Sequence, residues 1–163
     1  AYARSILQID GPDPFTQINQ GLPFPANYDK PHALNLVGNY KISRRLSLSA
    51  NMVYNSGRPI TYPTGYLVIN DYAVVNYSLR NEYRIPDYFR VDVSVNVEGN
   101  LLKRKFAHGS WAFSVYNLTG RRNAYSVYFT NDRGIINGFK LSIYGEPIFT
   151  ISYQFKLGNY AVE

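Results

Sequence analysis

The stretch Phe89-Arg-Val-Asp-Val-Ser-Val-Asn-Val-Glu98 shows the clearest alternation of apolar and polar residues in this chain. Phe89 and the valines at every second position after it share one face, because successive side chains of a β-strand leave on opposite faces. The opposite face carries only polar or charged side chains, namely Arg90, Asp92, Ser94, Asn96 and Glu98. Such alternation predicts a strand with one face in an apolar environment and the other in water.

The same alternation recurs along the rest of the chain. Predicted strands therefore lie near residues 1–9, 32–42, 46–55, 88–99, 110–118 and 146–157. The complete ones run for about 9–11 residues, which is the length that a tilted strand needs to cross a bilayer. Hydrocarbon offers polar groups no partners, so the apolar face is expected to meet lipid. The opposite face is expected to line a wet lumen, with Arg90, Asp92, Asn96 and Glu98 as lumen-facing residues.

The predicted connections between the strands are of two kinds. Residues 43–45 form a tight turn and residues 99–109 a moderate one, whereas 10–31, 56–87 and 119–146 are long segments rich in Pro, Gly and Asn. Outer-membrane barrels have short periplasmic turns and long external loops. We therefore predict an all-β fold, specifically an antiparallel transmembrane β-barrel segment. The alternative, a soluble β-sandwich, predicts turn signals at a spacing of about 8–12 residues.

The number of strands limits this prediction. A bacterial barrel needs at least about eight strands, and an open sheet in lipid would leave two unpaired edges. The chain is therefore expected to be about six C-terminal strands of a larger barrel, or to pair with strands from elsewhere.

Composition excludes several other classes of protein. The chain of 163 residues has no Cys, which rules out disulfides and thiolate metal sites. The net charge of +6 arises from Lys and Arg spread along the chain, so no nucleic acid is expected as a partner. The two imidazoles, His32 and His108, fall on opposite sides of the predicted membrane. We expect no metal site, no cofactor, no catalytic residue and no enzymatic activity.

A series of motifs resembles the closing third of Bacteroidetes TonB-dependent outer-membrane receptors. In chain order they are Phe24-Pro-Ala-Asn-Tyr-Asp-Lys-Pro-His32, Leu36-Val-Gly-Asn-Tyr-Lys41, Leu46-Ser-Leu-Ser-Ala-Asn-Met-Val-Tyr-Asn-Ser-Gly-Arg-Pro59, Arg84-Ile-Pro-Asp-Tyr-Phe-Arg-Val-Asp-Val-Ser94, Trp111-Ala-Phe-Ser-Val-Tyr-Asn-Leu118, Arg121-Arg-Asn-Ala-Tyr125 and Ile151-Ser-Tyr-Gln-Phe-Lys-Leu157. The fourth is similar to the family's R-x-P-x-Y-x-R-x-D pattern.

The resemblance implies a large barrel in the outer membrane of a Gram-negative bacterium, with an N-terminal plug that is not in this chain. The implied function is uptake of a large nutrient such as a siderophore, a glycan or a peptide. The implied partners are membrane lipid, the remainder of the same barrel and its plug, TonB through the missing N-terminal part, and a surface lipoprotein. Two alternatives stay open: a structural or adhesive barrel whose loops bind partners, and a soluble carbohydrate-binding sandwich.

Ligand recognition is expected in the long external loops. The candidate ligand-binding residues are Arg58, Tyr62, Tyr66, Arg80, Tyr83 and Arg84. Arg binds carboxylates in a bidentate manner and Tyr stacks on rings, so this set suits anionic siderophores or sugars. The structural alternative is that the tyrosines pack on one another. For Arg90 and Asp92, the structural alternative to ligand or plug contact is an ion pair with each other.

Overall fold

The structure is a computed structural model that describes residues 1–13, 15–70, 72–99, 107–132 and 135–157. The strands of the described chain are β1 (Ile6–Leu7), β2 (Phe24–Pro25), β3 (Ala33–Lys41), β4 (Leu46–Asn55), β5 (Pro59–Ile60), β6 (Pro63–Ile69), β7 (Tyr72–Tyr77), β8 (Tyr83–Arg84), β9 (Tyr88–Glu98), β10 (Ala107–Tyr116), β11 (Ala124–Asp132), β12 (Ile135–Ser142) and β13 (Ile148–Leu157). A short 3-10 turn covers Asn19–Gly21. The prediction of an all-β chain with antiparallel sheets is confirmed.

The five long strands form one sheet in the order β13-β10-β9-β4-β3. Phe113 lies opposite Ile151 on β13 and opposite Val95 on β9. Its neighbour Ser114 lies opposite Thr150 and Ser94. The alternation is therefore in phase across β13, β10 and β9, which gives these three strands one apolar face and one polar face. Within the described residues the sheet is open, because β3 and β13 end the order and no described strand joins them.

The strand predicted near residues 1–9 is wrong over most of its length. Only Ile6–Leu7 is a strand there, paired with Phe24–Pro25, and Tyr2 forms an isolated bridge with His32. The cause lies in Ser5, whose N–H donates to the Asp29 carboxylate (2.7 Å). Its carbonyl accepts the N–H of Ala26 (2.9 Å). These bonds hold the segment against residues 24–29 and interrupt any longer ladder.

Two of the long segments predicted as loops contain β-hairpins, which is a second correction. β6 pairs with β7 across a turn at Asn70, and β11 pairs with β12. Both hairpins are rich in β-branched and aromatic residues, which favour strands whether or not they alternate with polar ones. The predicted moderate turn at residues 99–109 lies mostly outside the described residues.

The chain divides into two units. The sheet unit consists of Leu34–Val53, Phe89–Arg122 and Tyr144–Glu163, and the hairpin unit of Ala1–Ala33, Tyr54–Tyr88 and Asn123–Ile143. The buried hydrophobic residues of the described chain are Phe24, Ala26 and Ile85, and all three lie in the hairpin unit.

The sheet unit leaves its apolar face uncovered. Phe149 is 78% exposed, Ile151 66% and Phe155 62%. All three residues lie on the apolar face of β13. In the described part of the chain, no helix has both the length and the apolar character to cross a membrane.

Candidate functional site

Arg84, a predicted ligand-binding residue, is held inside the hairpin unit by Asp29. One terminal nitrogen of its guanidinium donates to the carbonyls of Asp29 (3.0 Å) and Gly57 (2.9 Å). The other contacts the Asp29 carboxylate. The Asp29 side chain is 1% exposed and also accepts the N–H of Ser5. The ion pair and its hydrogen bonds therefore join four separate stretches of sequence, around residues 5, 29, 57 and 84, and Arg84 stabilises the loops internally.

Asp29 remains ionised despite its burial. Burial by itself raises the pKa of the Asp29 carboxyl. The hydrogen bonds from Arg84 and from the N–H of Ser5, with the positive charges of Arg84 and Arg4, outweigh that effect and lower its pKa below the usual value. The charged form is the one that the surrounding donors favour.

Asp87 and Gly57 form a second anchor beside this pair. The Asp87 carboxylate accepts the hydroxyl of Tyr54 (2.8 Å) and the N–H of Gly57 (2.9 Å). A Cβ at Gly57 would lie 1.7 Å from the carbonyl oxygen of Ile85. Only glycine permits this backbone approach, which explains physically why the Asn-Ser-Gly-Arg-Pro motif needs its glycine.

Gly57→Ala is expected to destabilise the hairpin unit by about 3 kcal/mol, since a backbone atom must move and the bond to Asp87 is lost. Gly65→Ala is the matched control, because a Cβ there would meet nothing within 4 Å. Amide hydrogen exchange over residues 54–88 should accelerate only in Gly57→Ala. Equal protection in the two variants would contradict the close approach.

Aromatic packing accounts for two of the predicted ligand-binding tyrosines. The ring of Tyr62 lies 5.5 Å from that of Tyr83 and 5.0 Å from that of Phe129, the latter edge-on at 84°. These contacts support the packing interpretation for Tyr62, whose ring is half-buried. Tyr83 stays about half exposed and keeps a surface for a ligand.

Arg58, Arg80 and Tyr66 are the three remaining candidate ligand-binding residues. Arg58 and Arg80 form hydrogen bonds through backbone atoms. The carbonyl of Arg58 accepts the N–H of Ile85 (3.1 Å), and the N–H of Arg80 donates to the side-chain oxygen of Asn19 (2.9 Å). Neither guanidinium forms an ion pair with any residue that the structure describes. Tyr66 lies opposite Val75 in the β6–β7 hairpin. The cationic groups available to an anion in the predicted set are therefore Arg58 and Arg80.

The sheet unit carries an ionic cluster on its polar face. Arg90 pairs with Asp92 at 3.0 Å, so the predicted mutual pairing is present. The same guanidinium donates to the hydroxyl of Tyr116 (2.5 Å) and lies 4.3 Å from the centre of its ring. Asp92 also accepts the side-chain amide of Asn51 (3.4 Å) and the N–H of Asn117 (3.0 Å). Three segments, β9, β4 and the stretch after β10, are thus joined through one carboxylate.

The two remaining predicted lumen-facing residues lie further along β9. Asn96 lies opposite Ala112, and Glu98 lies opposite Ser110. The Glu98 carboxylate is 3.8 Å from the His108 imidazole, and its carbonyl accepts from the Arg45 guanidinium (3.0 Å). Asn96 and Glu98 share the face of Arg90 and Asp92, since all four stand at alternate positions of one strand.

A concave space of about 330 Å³ opens on the polar face beside the ionic cluster. Its lining includes Asn51, Asp92, Ser94, Ser114 and Thr150. Ser114 donates its hydroxyl to Ser94 (3.0 Å), whereas the carbonyl oxygen of the Asn51 side chain is buried without a hydrogen bond.

Asn117 is the structural residue that sequence reasoning missed in the sheet unit. It is 1% exposed and adopts a left-handed backbone with φ of 54°. Its side-chain amide donates to the carbonyls of Arg121 (3.2 Å) and Tyr144 (2.9 Å). Asn tolerates this backbone region better than most residues. This preference is the one signal in the sequence that could have identified Asn117.

Asn117→Ala is expected to cost about 2–4 kcal/mol, from the strained backbone and from buried carbonyls left without donors. Asn117→Gly removes the same donors without the backbone strain and should cost less. Urea unfolding of the detergent-extracted protein measures both. Alanine and glycine variants as stable as the original would show that Asn117 does not join these loops.

The described residues contain no group of three or more His, Cys, Asp or Glu side chains that could hold a metal ion. The chain matches no protein-family model, and comparisons with curated proteins and with solved structures give no match.

Proposed function

We propose that this chain is the C-terminal barrel portion of a TonB-dependent outer-membrane receptor that takes up a large nutrient. The observation that carries the proposal is the sheet unit: one face is apolar and exposed, and the other holds a hydrogen-bonded ionic cluster around Asp92. Water-soluble monomers rarely expose a continuous apolar patch beyond a few hundred square ångströms. Lipid is the environment in which this distribution is stable.

Strand length and register agree with a bilayer crossing. β4, β9, β10 and β13 have 10, 11, 10 and 10 residues, and a tilted transmembrane strand needs about 9–11. Apolar residues lie opposite apolar residues throughout the β10–β13 pair, which gives the lipid side a continuous surface. A soluble sandwich would need a second apolar layer on this face to exclude water.

The charged groups of the ionic cluster would keep their protein partners if water were removed from around them. Arg90 has Asp92 and Tyr116 as partners, and Asp92 has two further donors. Charges in a confined lumen are stable when they are paired in this way. The free cations Arg58 and Arg80, together with the exposed ring of Tyr83, are the groups proposed to contact an anionic or ring-bearing ligand.

An adhesive barrel is the second candidate function, and the hairpins favour it. Val68 and Tyr72, beside the turn of the β6–β7 hairpin, are among the most exposed apolar residues of the described chain. Exposed apolar patches mark protein interaction sites. A receptor and an adhesive barrel share the sheet and differ in what these loops contact.

Two experiments test the proposal. Cell fractionation should recover the native polypeptide in the outer membrane, extractable only with detergent, and recovery in the soluble fraction would refute the membrane assignment. A deletion strain should then lose growth on one class of sole nutrient, chosen from iron chelates, glycans and peptides. Unchanged growth on all three, with loss of adhesion, would favour the adhesive barrel.

A further inference from the structure

The outer edge of β3 presents backbone groups in a defined order. The N–H of Ile42, just after β3, donates to the carbonyl of Leu46, so even-numbered residues point toward β4. The N–H of Ala33 donates instead to the carbonyl of Ala1. Backbone groups alternate along an antiparallel strand, so Asn35, Val37, Asn39 and Lys41 direct their N–H and C=O groups outward. No described strand lies on that side.

Residues 1–3 already form the start of a ladder along this edge. Ala1 and Ala33 exchange two hydrogen bonds, of 2.6 Å and 3.0 Å. Tyr2 bridges His32 in an antiparallel sense, with ring centroids 5.1 Å apart, and the N–H of Ala3 donates to the carbonyl of Pro31 (3.0 Å). From Ala3 back to Ala1, the paired residues advance from Pro31 to Ala33, the first residue of β3. Residues before Ala1 would therefore continue the pairing along β3.

We infer that the outer edge of β3 is the docking surface for the strand of the same polypeptide that leads into Ala1. The pairing is antiparallel, and the Tyr2–His32 bridge fixes its register. The residue before Ala1 then lies opposite Leu34, the third before Ala1 opposite Leu36, and the seventh opposite Tyr40. This inference rests on the proposed function, because it supplies one of the two neighbours that an open sheet in lipid requires.

The register also fixes the chemistry of the docking strand. Directly opposed residues share a face, so the first, third and seventh residues before Ala1 should be apolar, like Leu34, Leu36 and Tyr40. The second, fourth and sixth should be small or polar. Gly38 leaves empty space on the apolar face, with nothing within 4 Å of a Cβ placed there. The fifth residue before Ala1 should therefore be bulky, covering the glycine as aromatic residues do across strands.

Disulfide formation in the native full polypeptide tests the register, since this chain contributes no cysteine of its own. Leu36→Cys is combined with cysteine at the third residue before Ala1. These positions form a non-hydrogen-bonded pair, in which side chains approach closely enough for a disulfide. Tyr2→Cys with His32→Cys is the positive control, because that pair has the same geometry in the structure.

Oxidation in isolated outer membranes should link the first pair as fully as the control. Moving the second cysteine one residue further back places it on the other face and should lower the yield at least about tenfold. A higher yield at the shifted position, or no link beside a linked control, would overturn the inference. A native polypeptide that begins at Ala1 would also overturn it.

Amide exchange provides a measurement that does not depend on cysteine variants. The N–H groups of Val37 and Asn39 should exchange slowly in the full polypeptide, because each donates to the docking strand. Rapid exchange there, with slow exchange in β9, would refute the docking strand and leave the membrane assignment intact. Recovery of the polypeptide in the soluble fraction would instead refute the proposed function.

Discussion

Ile151→Arg is expected to remove most of the assembled protein from the outer membrane, whereas Ser152→Arg is expected to leave the amount nearly unchanged. The two residues are neighbours in β13 and both are exposed, Ile151 on the apolar face and Ser152 on the polar face. An arginine on the lipid side near mid-depth costs about 2–4 kcal/mol, and one on the lumen side costs little.

The pair distinguishes lipid from water as the environment of the apolar face. In a water-soluble protein, both substitutions would fall at exposed surface positions and change stability by only about 0.5 kcal/mol. Quantitative immunoblotting of outer-membrane fractions, with each variant expressed at the same level, measures the difference. Equal amounts of the two variants would contradict a lipid-facing surface on β13.

Asp29→Asn is expected to open the hairpin unit locally, at a cost of about 3 kcal/mol. Removing one partner of a buried ion pair costs about 3–5 kcal/mol, and the lower end applies because the Arg84 side chain retains 32% exposure. Arg80→Gln is the control, since Arg80 is exposed and forms no ion pair with a described residue. Limited proteolysis should cut residues 1–33 and 54–88 faster in Asp29→Asn alone. Equal cutting in both variants would contradict the anchoring role.

The same carboxylate makes the hairpin unit sensitive to acid. The folded state lowers the pKa of Asp29 through Arg84 and Ser5, so the unfolded state binds a proton at higher pH than the folded state does. The stabilisation is therefore complete above the ordinary aspartate pKa, near pH 4, and is lost as pH falls through the lowered value. Hydrogen exchange at decreasing pH should show this loss in the original chain and not in Asp29→Asn. Parallel pH profiles would assign the acid sensitivity to other carboxylates.

The strands were predictable because alternation is a local property. Phe89 to Glu98 shows both faces of β9 without any knowledge of its neighbours. The hairpins were missed because Leu67, Val68 and Ile69 follow one another without a polar residue between them, so period two is absent there. All three side chains are exposed in the β6–β7 hairpin. Since neither face of this hairpin is buried there, the sequence does not need to alternate between apolar and polar residues.

The residues that anchor the loops were less predictable because their partners are distant in sequence. Arg84 and Asp29 are 55 residues apart, and Asn117 and Tyr144 are 27 apart. A loop arginine beside tyrosines therefore suggested ligand binding, although its guanidinium is held by Asp29 and Gly57. Arg90 and Asp92 were easier, since two residues on one face of a single strand are close whatever the fold.

The charged residues of the stretch from Arg84 to Asp92 all have partners in the structure. In the stretch from Arg84 to Asp92, each charged residue has a defined partner: Asp29 for Arg84, Tyr54 and Gly57 for Asp87, Tyr116 for Arg90, and Asn51 and Asn117 for Asp92. The spacing of charges in this motif thus fixes the connections at the start of β9.

The most direct test of the central proposal is the intact mass of the native polypeptide in outer-membrane extracts, identified through a peptide of this chain. A TonB-dependent receptor needs the rest of the barrel and a plug, so the expected mass is several times the 18.6 kDa of these 163 residues. A polypeptide near 18.6 kDa that purifies without any partner chain would contradict the proposal, because the open edges of β3 and β13 would then have no strands to close them.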